Sequence, residues 1–120
     1  MQMRVHTEEG YSIAILESDA IVIHHVQDAL DALANAKYQG CDALVWKQEH
    51  IVPDFFELST KVAGEILQKY TNYQMKLAIV GDYSQIESKS LRDFIYECNQ
   101  GTQFFFTATE EEAIAAIKRT

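Results

Sequence analysis

The densest set of groups able to do chemistry lies in IVPDFFELSTKVAGEILQKY. Behind Pro53 come Asp54 and Glu57 three residues apart, the adjacent rings of Phe55 and Phe56, then Ser59 and Lys61. Asp54 before Glu57 has capping-box spacing, and as an N-cap it contributes about 1 kcal/mol. The same carboxylate, fixed at a strand-to-helix turn, sets the polarity of a docking surface for which an aromatic ring supplies the apolar anchor. At roughly 100° per residue, Phe55, Phe56, Leu58, Val62, Ala63, Ile66, Leu67 and Tyr70 cover one arc of a helix running from Pro53 to Tyr70. Glu57, Lys61, Glu65 and Gln68 cover the other side, and Ser59 falls within the apolar arc. Ser59 is thus either a phosphoacceptor or a packed residue whose hydroxyl bonds back to the carbonyl of Phe55. The second reading is favoured because an unpaired buried hydroxyl costs about 1 to 3 kcal/mol.

A second group sits in GDYSQIESKS, where Asp82, Ser84, Ser88, Lys89 and Ser90 precede a helix start and Arg92 follows. Free backbone N–H groups and the dipole at a helix N-terminus favour an anion such as phosphate. The loop lacks the glycines of a phosphate-binding fingerprint, so turn and cap chemistry competes as the reason for its serines. The histidines His6, His24, His25 and His50 show no HxxxH or HExxH spacing, and Cys41 and Cys98 are far apart. No serine lies in GxSxG. No metal, cofactor or catalytic residue is expected from these patterns, and no two groups are forced into acid and base roles.

The elements that must position these groups follow from periodicity. RVHTE and YSIAIL around Glu9-Gly10 predict a hairpin at a sheet edge. VQDALDALANAKYQG predicts a helix with Val26, Leu30, Leu33 and Ala34 on one side and Gly40 as its stop. CDALVWK, MKLAIVGD and QFFFTA are short apolar runs that read as buried strands. SKSLRDFIYECNQG predicts a helix capped by Ser90, with Leu91, Phe94, Ile95 and Cys98 on its inner face. TEEEAIAAIKRT predicts a last helix with a capping box at Thr109 and Glu112. The order ββαβαβαβα implies one α/β domain over residues 1–120: a mainly parallel sheet with a hairpin edge, covered by helices. Sites in such sheets sit beyond the C-terminal strand ends, which selects the turns KQEHIVPD, GDYSQIESKS and TATEE.

Composition bounds the partners. The chain has 120 residues, 48% of them hydrophobic, and a net charge of −8 from 18 acidic and 10 basic side chains. The scattered Lys and Arg disfavour nucleic acid and anionic membranes, which need clustered positive charge. Nothing approaches the roughly 18 consecutive apolar residues of a spanning helix, and the polar MQMRVHTEEG is unlike a signal peptide, so a cytoplasmic location is expected.

The runs PDFF, AGEILQK, LAIVGD and SKSLRDFIYE resemble a bacterial family known as domain of unknown function 4180, and the similarity extends through VQDALDALANA and TEEEA to the whole chain. That resemblance implies no activity. In architecture the ββαβαβαβα order is similar to the STAS domains, the anti-sigma-factor-antagonist type, in which a serine at the turn after the middle strand is phosphorylated by a partner kinase. Here that turn is HIVPDFFELST, with Asp54, Phe55 and Phe56 where the STAS motif has an Asp-Ser-Ser-Gly-like run, and Ser59 a turn deeper. The resemblance implies a regulatory domain that binds a protein partner, with Asp54 standing where phosphate would add charge. Asp54, Phe55, Phe56, Glu57 and Lys61 are the expected partner-binding residues. The alternative is a small-molecule or lipid-binding domain in which Phe104, Phe105 and Phe106 line an apolar pocket and the SKS loop holds an anion.

Overall fold

A computed structural model describes all residues, 1–120. The Glu9-Gly10 turn, with both residues at positive φ (47° and 87°), folds β1 (Gln2–Glu8) onto β2 (Tyr11–Glu17) in the two-residue geometry that matches strand twist. The chain then alternates α1 (Val26–Tyr38), β3 (Ala43–Lys47), α2 (Val62–Asn72), β4 (Lys76–Val80), α3 (Lys89–Gln100), β5 (Phe104–Thr107) and α4 (Glu110–Lys118). The strands lie in the order β1-β2-β3-β4-β5. β1 is antiparallel to β2, and every later pair is parallel. The α/β class and the ββαβαβαβα order are those expected from the sequence.

Period-two alternation divides the core into two layers. Ala14, Leu16, Leu44, Trp46, Leu77, Ile79 and Phe106 face α1, α2 and α3. Ile13, Ile15, Ala43, Val45, Ala78 and Phe105 face α4. Successive neighbouring strands joined by crossovers of one hand place their helices on one side of the sheet, and the terminal helix folds back to cover the other. The Tyr70 hydroxyl donates to the Ala29 carbonyl at 2.6 Å, pinning α2 to α1, and its ring meets Trp46 edge-on at 5.7 Å.

Three expectations about helices change. The Pro53–Tyr70 segment is not one helix: it forms two 3-10 turns, Pro53–Phe56 and Leu58–Thr60, before Lys61 at φ 67° breaks the path and α2 begins at Val62. The cause is local, because the Thr60 hydroxyl donates to the carbonyls of Asp54 (2.6 Å) and Glu57 (2.8 Å), claiming acceptors that a continuing helix needs. In α1 the buried residues are Ala29, Ala32, Leu33 and Ala36, so small side chains bring the helix close to the sheet while Ala34 faces outward. In α3 the N-cap is Ser88 and not Ser90: the Ser88 hydroxyl accepts from the Leu91 N–H at 3.2 Å. Leu91 and Ile95 are buried, with Phe94 and Cys98 partly covered beside them. At α4, Thr109 caps as expected by accepting from the Glu112 N–H at 3.1 Å.

Candidate functional site

The C-terminal ends of β3, β4 and β5 meet at one edge of the molecule. After Lys47 the chain makes a tight turn, Gln48–His50, anchored by a buried imidazole. His50 Nδ1 accepts from the Lys47 N–H at 3.2 Å, so Nε2 carries the proton and donates to the Ser18 carbonyl at 3.1 Å. His50 is therefore a packed strut between the ends of β2 and β3. Its own carbonyl accepts from Val22 and Ile23, and an Ile23–Ile51 bridge prolongs the contact.

From the other side Gly81 follows β4 and lies directly against Gln48. A Cβ there would stand 2.4 Å from Gln48 Oε1 and 2.9 Å from Gln48 Cβ, so only glycine permits this approach. Between these two turns opens a shallow cleft of about 500 Å³, lined by Lys47, Gln48, Glu49, Val80, Gly81, Asp82 and Ala108. Gln48 and Glu49 also border a second hollow of about 330 Å³, whose other walls are Ile21, Ile51, Pro53 and Phe56. The first mixes polar side chains with apolar surface, the second is mostly apolar, and they share one rim.

The partner-binding residues proposed from sequence divide around this second hollow. Phe55 is buried and belongs to the core, which excludes it as an exposed anchor. Phe56 is half-buried, packs against Phe55 at 5.0 Å and Tyr83 at 6.3 Å, and forms a wall of the hollow. Asp54, Glu57 and Lys61 are exposed, and none is in an ion pair. The Asp54 carboxylate caps nothing: Val52 occupies the N-cap position and Pro53 the first position of the turn, where a missing N–H costs nothing. Ser59 is exposed, and its hydroxyl points to Glu57 Oε1 at 3.4 Å instead of the Phe55 carbonyl, which corrects its assignment to the packed face.

The proposed anion loop is internally occupied. Asp82 accepts from the Ser84 N–H (3.0 Å) and hydroxyl (2.6 Å), and these bonds hold its carboxyl below the usual carboxylate range. Ser88 caps α3, and Lys89 Nζ meets Asp93 at 2.7 Å. The Arg92 guanidinium donates to the carbonyls of Ile86 and Glu87, both at 2.9 Å. Ser90 is exposed in the first turn of α3. Phe105 and Phe106 belong to the core but also border a hollow of about 310 Å³ with Asn99, Thr107 and Glu112, which no residue of the SKS loop lines, and Phe104 is half-buried.

Sequence reasoning missed Lys47, Gly81 and Ile21. Lys47 is a half-buried cation with no carboxylate within ion-pair distance, although Glu49 and Asp82 line the same cleft. Its signal was the lysine closing an otherwise apolar strand, ALVWK. Cys98 offers no nucleophile, since burial, helped by Glu97, pushes its thiol up to about 11. No group of three or more His, Cys, Asp or Glu is placed to hold a metal ion, and no helix is long and apolar enough to cross a membrane.

These features define a five-stranded α/β domain with its open polar and apolar hollows at the C-terminal strand ends. The chain belongs to the family described as Domain of unknown function (DUF4180), whose pattern it matches over residues 8–117. No curated protein matches it. No solved structure matches it.

Proposed function

We propose that this is a regulatory binding domain that takes a protein partner at the β3–α2 turn, in the manner of the STAS-like reading. The observation that carries the proposal is the apolar hollow between Ile21, Ile51, Pro53 and Phe56, set beside exposed carboxylates. Ile21, 38% exposed, adds apolar surface at the rim of this hollow next to Ile51, Pro53 and Phe56. Glu49 lines the hollow, Asp54 and Glu57 follow its wall residues Pro53 and Phe56 in the chain, and none has an ion partner, so the matching partner segment presents an apolar side chain flanked by Lys or Arg. Such charge complementarity speeds encounter and rejects acidic competitors.

A photo-crosslinker placed at Glu57 tests this in cells, with the same group at Lys89 as the control. A partner carrying a basic, apolar segment should be captured from position 57 alone, and Asp54→Lys should remove it while the circular dichroism spectrum stays unchanged. Equal capture from both positions, or capture that survives Asp54→Lys, overturns the proposal.

A small anionic ligand is the second reading, and the observation favouring it is Lys47 at the polar cleft, not the SKS loop. Thermal stabilisation by one class of anionic metabolite, lost in Lys47→Met, would support it.

A further inference from the structure

The two edges of the sheet are treated differently. In β5 the outward-facing groups of Phe106 are both taken by one side chain: Asn99 Oδ1 accepts from its N–H at 2.8 Å and Asn99 Nδ2 donates to its carbonyl at 3.2 Å. The Asn99 carboxamide thus replaces a peptide of a neighbouring strand and shuts that edge. β1 has no such cover. Glu8 and Tyr11 flank the two-residue turn as a hydrogen-bonded pair, so alternation gives Gln2, Arg4, His6 and Glu8 to the ladder with β2. Met3, Val5 and Thr7 turn their N–H and C=O groups to the free side, where no protein group bonds them.

We propose that this open edge pairs with a second copy of the chain, β1 antiparallel to β1, giving one continuous ten-stranded sheet. Its symmetry selects the register. Centred on Val5, the pairing sets Val5 opposite Val5 of the second copy and Met3 opposite Thr7, and all three outward residues are used. A shift either way sets Arg4 against Arg4 or His6 against His6 and leaves one outward residue unpaired. In the centred register Arg4, already met by Glu17 and Glu110 at 2.9 Å, lies opposite His6 of the second copy with that copy's Glu8 and Arg4 on its diagonals, so no two arginines stand directly opposite each other. Charge also selects this edge: residues 2–7, QMRVHT, contain no carboxylate, in a chain of net charge −8. Val5, 39% exposed, gains a matching apolar neighbour. β1 carries no proline, bulge or lysine, and its charged residues Arg4 and Glu8 are already paired with Glu17, Glu110 and Lys118.

Sedimentation of the intact chain over a concentration series, with amide exchange read residue by residue, tests the proposal. The mass should double with concentration, and the Val5 and Thr7 amides should slow by at least about tenfold as it does, because they pass from free to paired. Val5→Pro, which removes only an outward N–H, should remain a single chain. A single chain at every concentration overturns the proposal. So does a dimer whose Val5 and Thr7 amides exchange as fast as in the monomer. Should Val5→Pro fail to fold, the exchange of the unmodified chain decides alone.

Discussion

The β3–α2 and β4–α3 turns leave the same edge of the sheet, carry similar numbers of charged and hydroxyl residues, and differ in what those residues bond. In the β4–α3 turn most of the candidate anion-binding groups are engaged by their neighbours: Asp82 by Ser84, Ser88 by Leu91, Lys89 by Asp93 and Arg92 by two carbonyls, with Ser90 left exposed. In the β3–α2 turn the backbone is held by Thr60 and His50, and Asp54, Glu57 and Lys61 enter no ion pair, Glu57 meeting only the exposed Ser59 hydroxyl, near an apolar hollow. A turn whose hydrogen bonds come from the backbone and from buried struts can leave its surface charges for a partner. A turn that spends its charges on its own shape cannot.

Substitutions sharpen this contrast. The largest effect is expected at Phe55, the buried member of the aromatic pair: Phe55→Ala should cost about 3 to 5 kcal/mol in chemical unfolding, as a ring removed from a packed core does. Phe56→Ala should cost much less stability and instead weaken partner binding, since its half-buried ring walls the hollow. Gly81→Ala comes next. The added methyl meets Gln48, including its inflexible Cβ, and should cost about 1 to 3 kcal/mol while displacing the Gln48–His50 turn, visible as shifted amide resonances of both turns.

Ser88→Ala should cost about 1 kcal/mol by uncapping α3 and leave binding intact. Asp54→Lys should do the reverse, changing stability by no more than about 0.5 kcal/mol while abolishing the complex. A pair of variants behaving the other way round would break the comparison. The smallest effect is electrostatic. Asp82 titrates below its ordinary range because Ser84 bonds its charged form, so that contribution to the turn is present above the unfolded carboxylate range and is lost as pH falls through the lowered native value. Ser84→Ala should raise the Asp82 titration midpoint, followed by carboxyl NMR.

Much of the fold was legible because strands and helices here obey their periods. The three apolar runs became β3, β4 and β5, and Glu9-Gly10 gave the hairpin. The β3–α2 turn was misread for a physical reason: its apolar spacing suits a helix, but Thr60 competes for the Asp54 and Glu57 carbonyls, and that competition outweighs periodicity. With the helix broken, Ser59 lies at the surface, while Phe55 keeps the inward place that its apolar arc gave it. Ser88 rather than Ser90 caps α3 because two serines at neighbouring positions offer the same chemistry, and backbone φ/ψ chooses between them. Lys47 and Gly81 gain meaning only where β3 and β4 lie side by side, a long-range pairing that no local pattern encodes.

Native mass spectrometry of the untagged chain, taken gently from its own cells alongside Asp54→Lys, tests the central claim most directly. The unmodified chain should carry a stoichiometric protein companion other than a second copy of itself, and Asp54→Lys should fly without it. A companion retained by Asp54→Lys, or a chain bearing only a small non-covalent mass, would contradict the assignment of the β3–α2 turn as the binding surface.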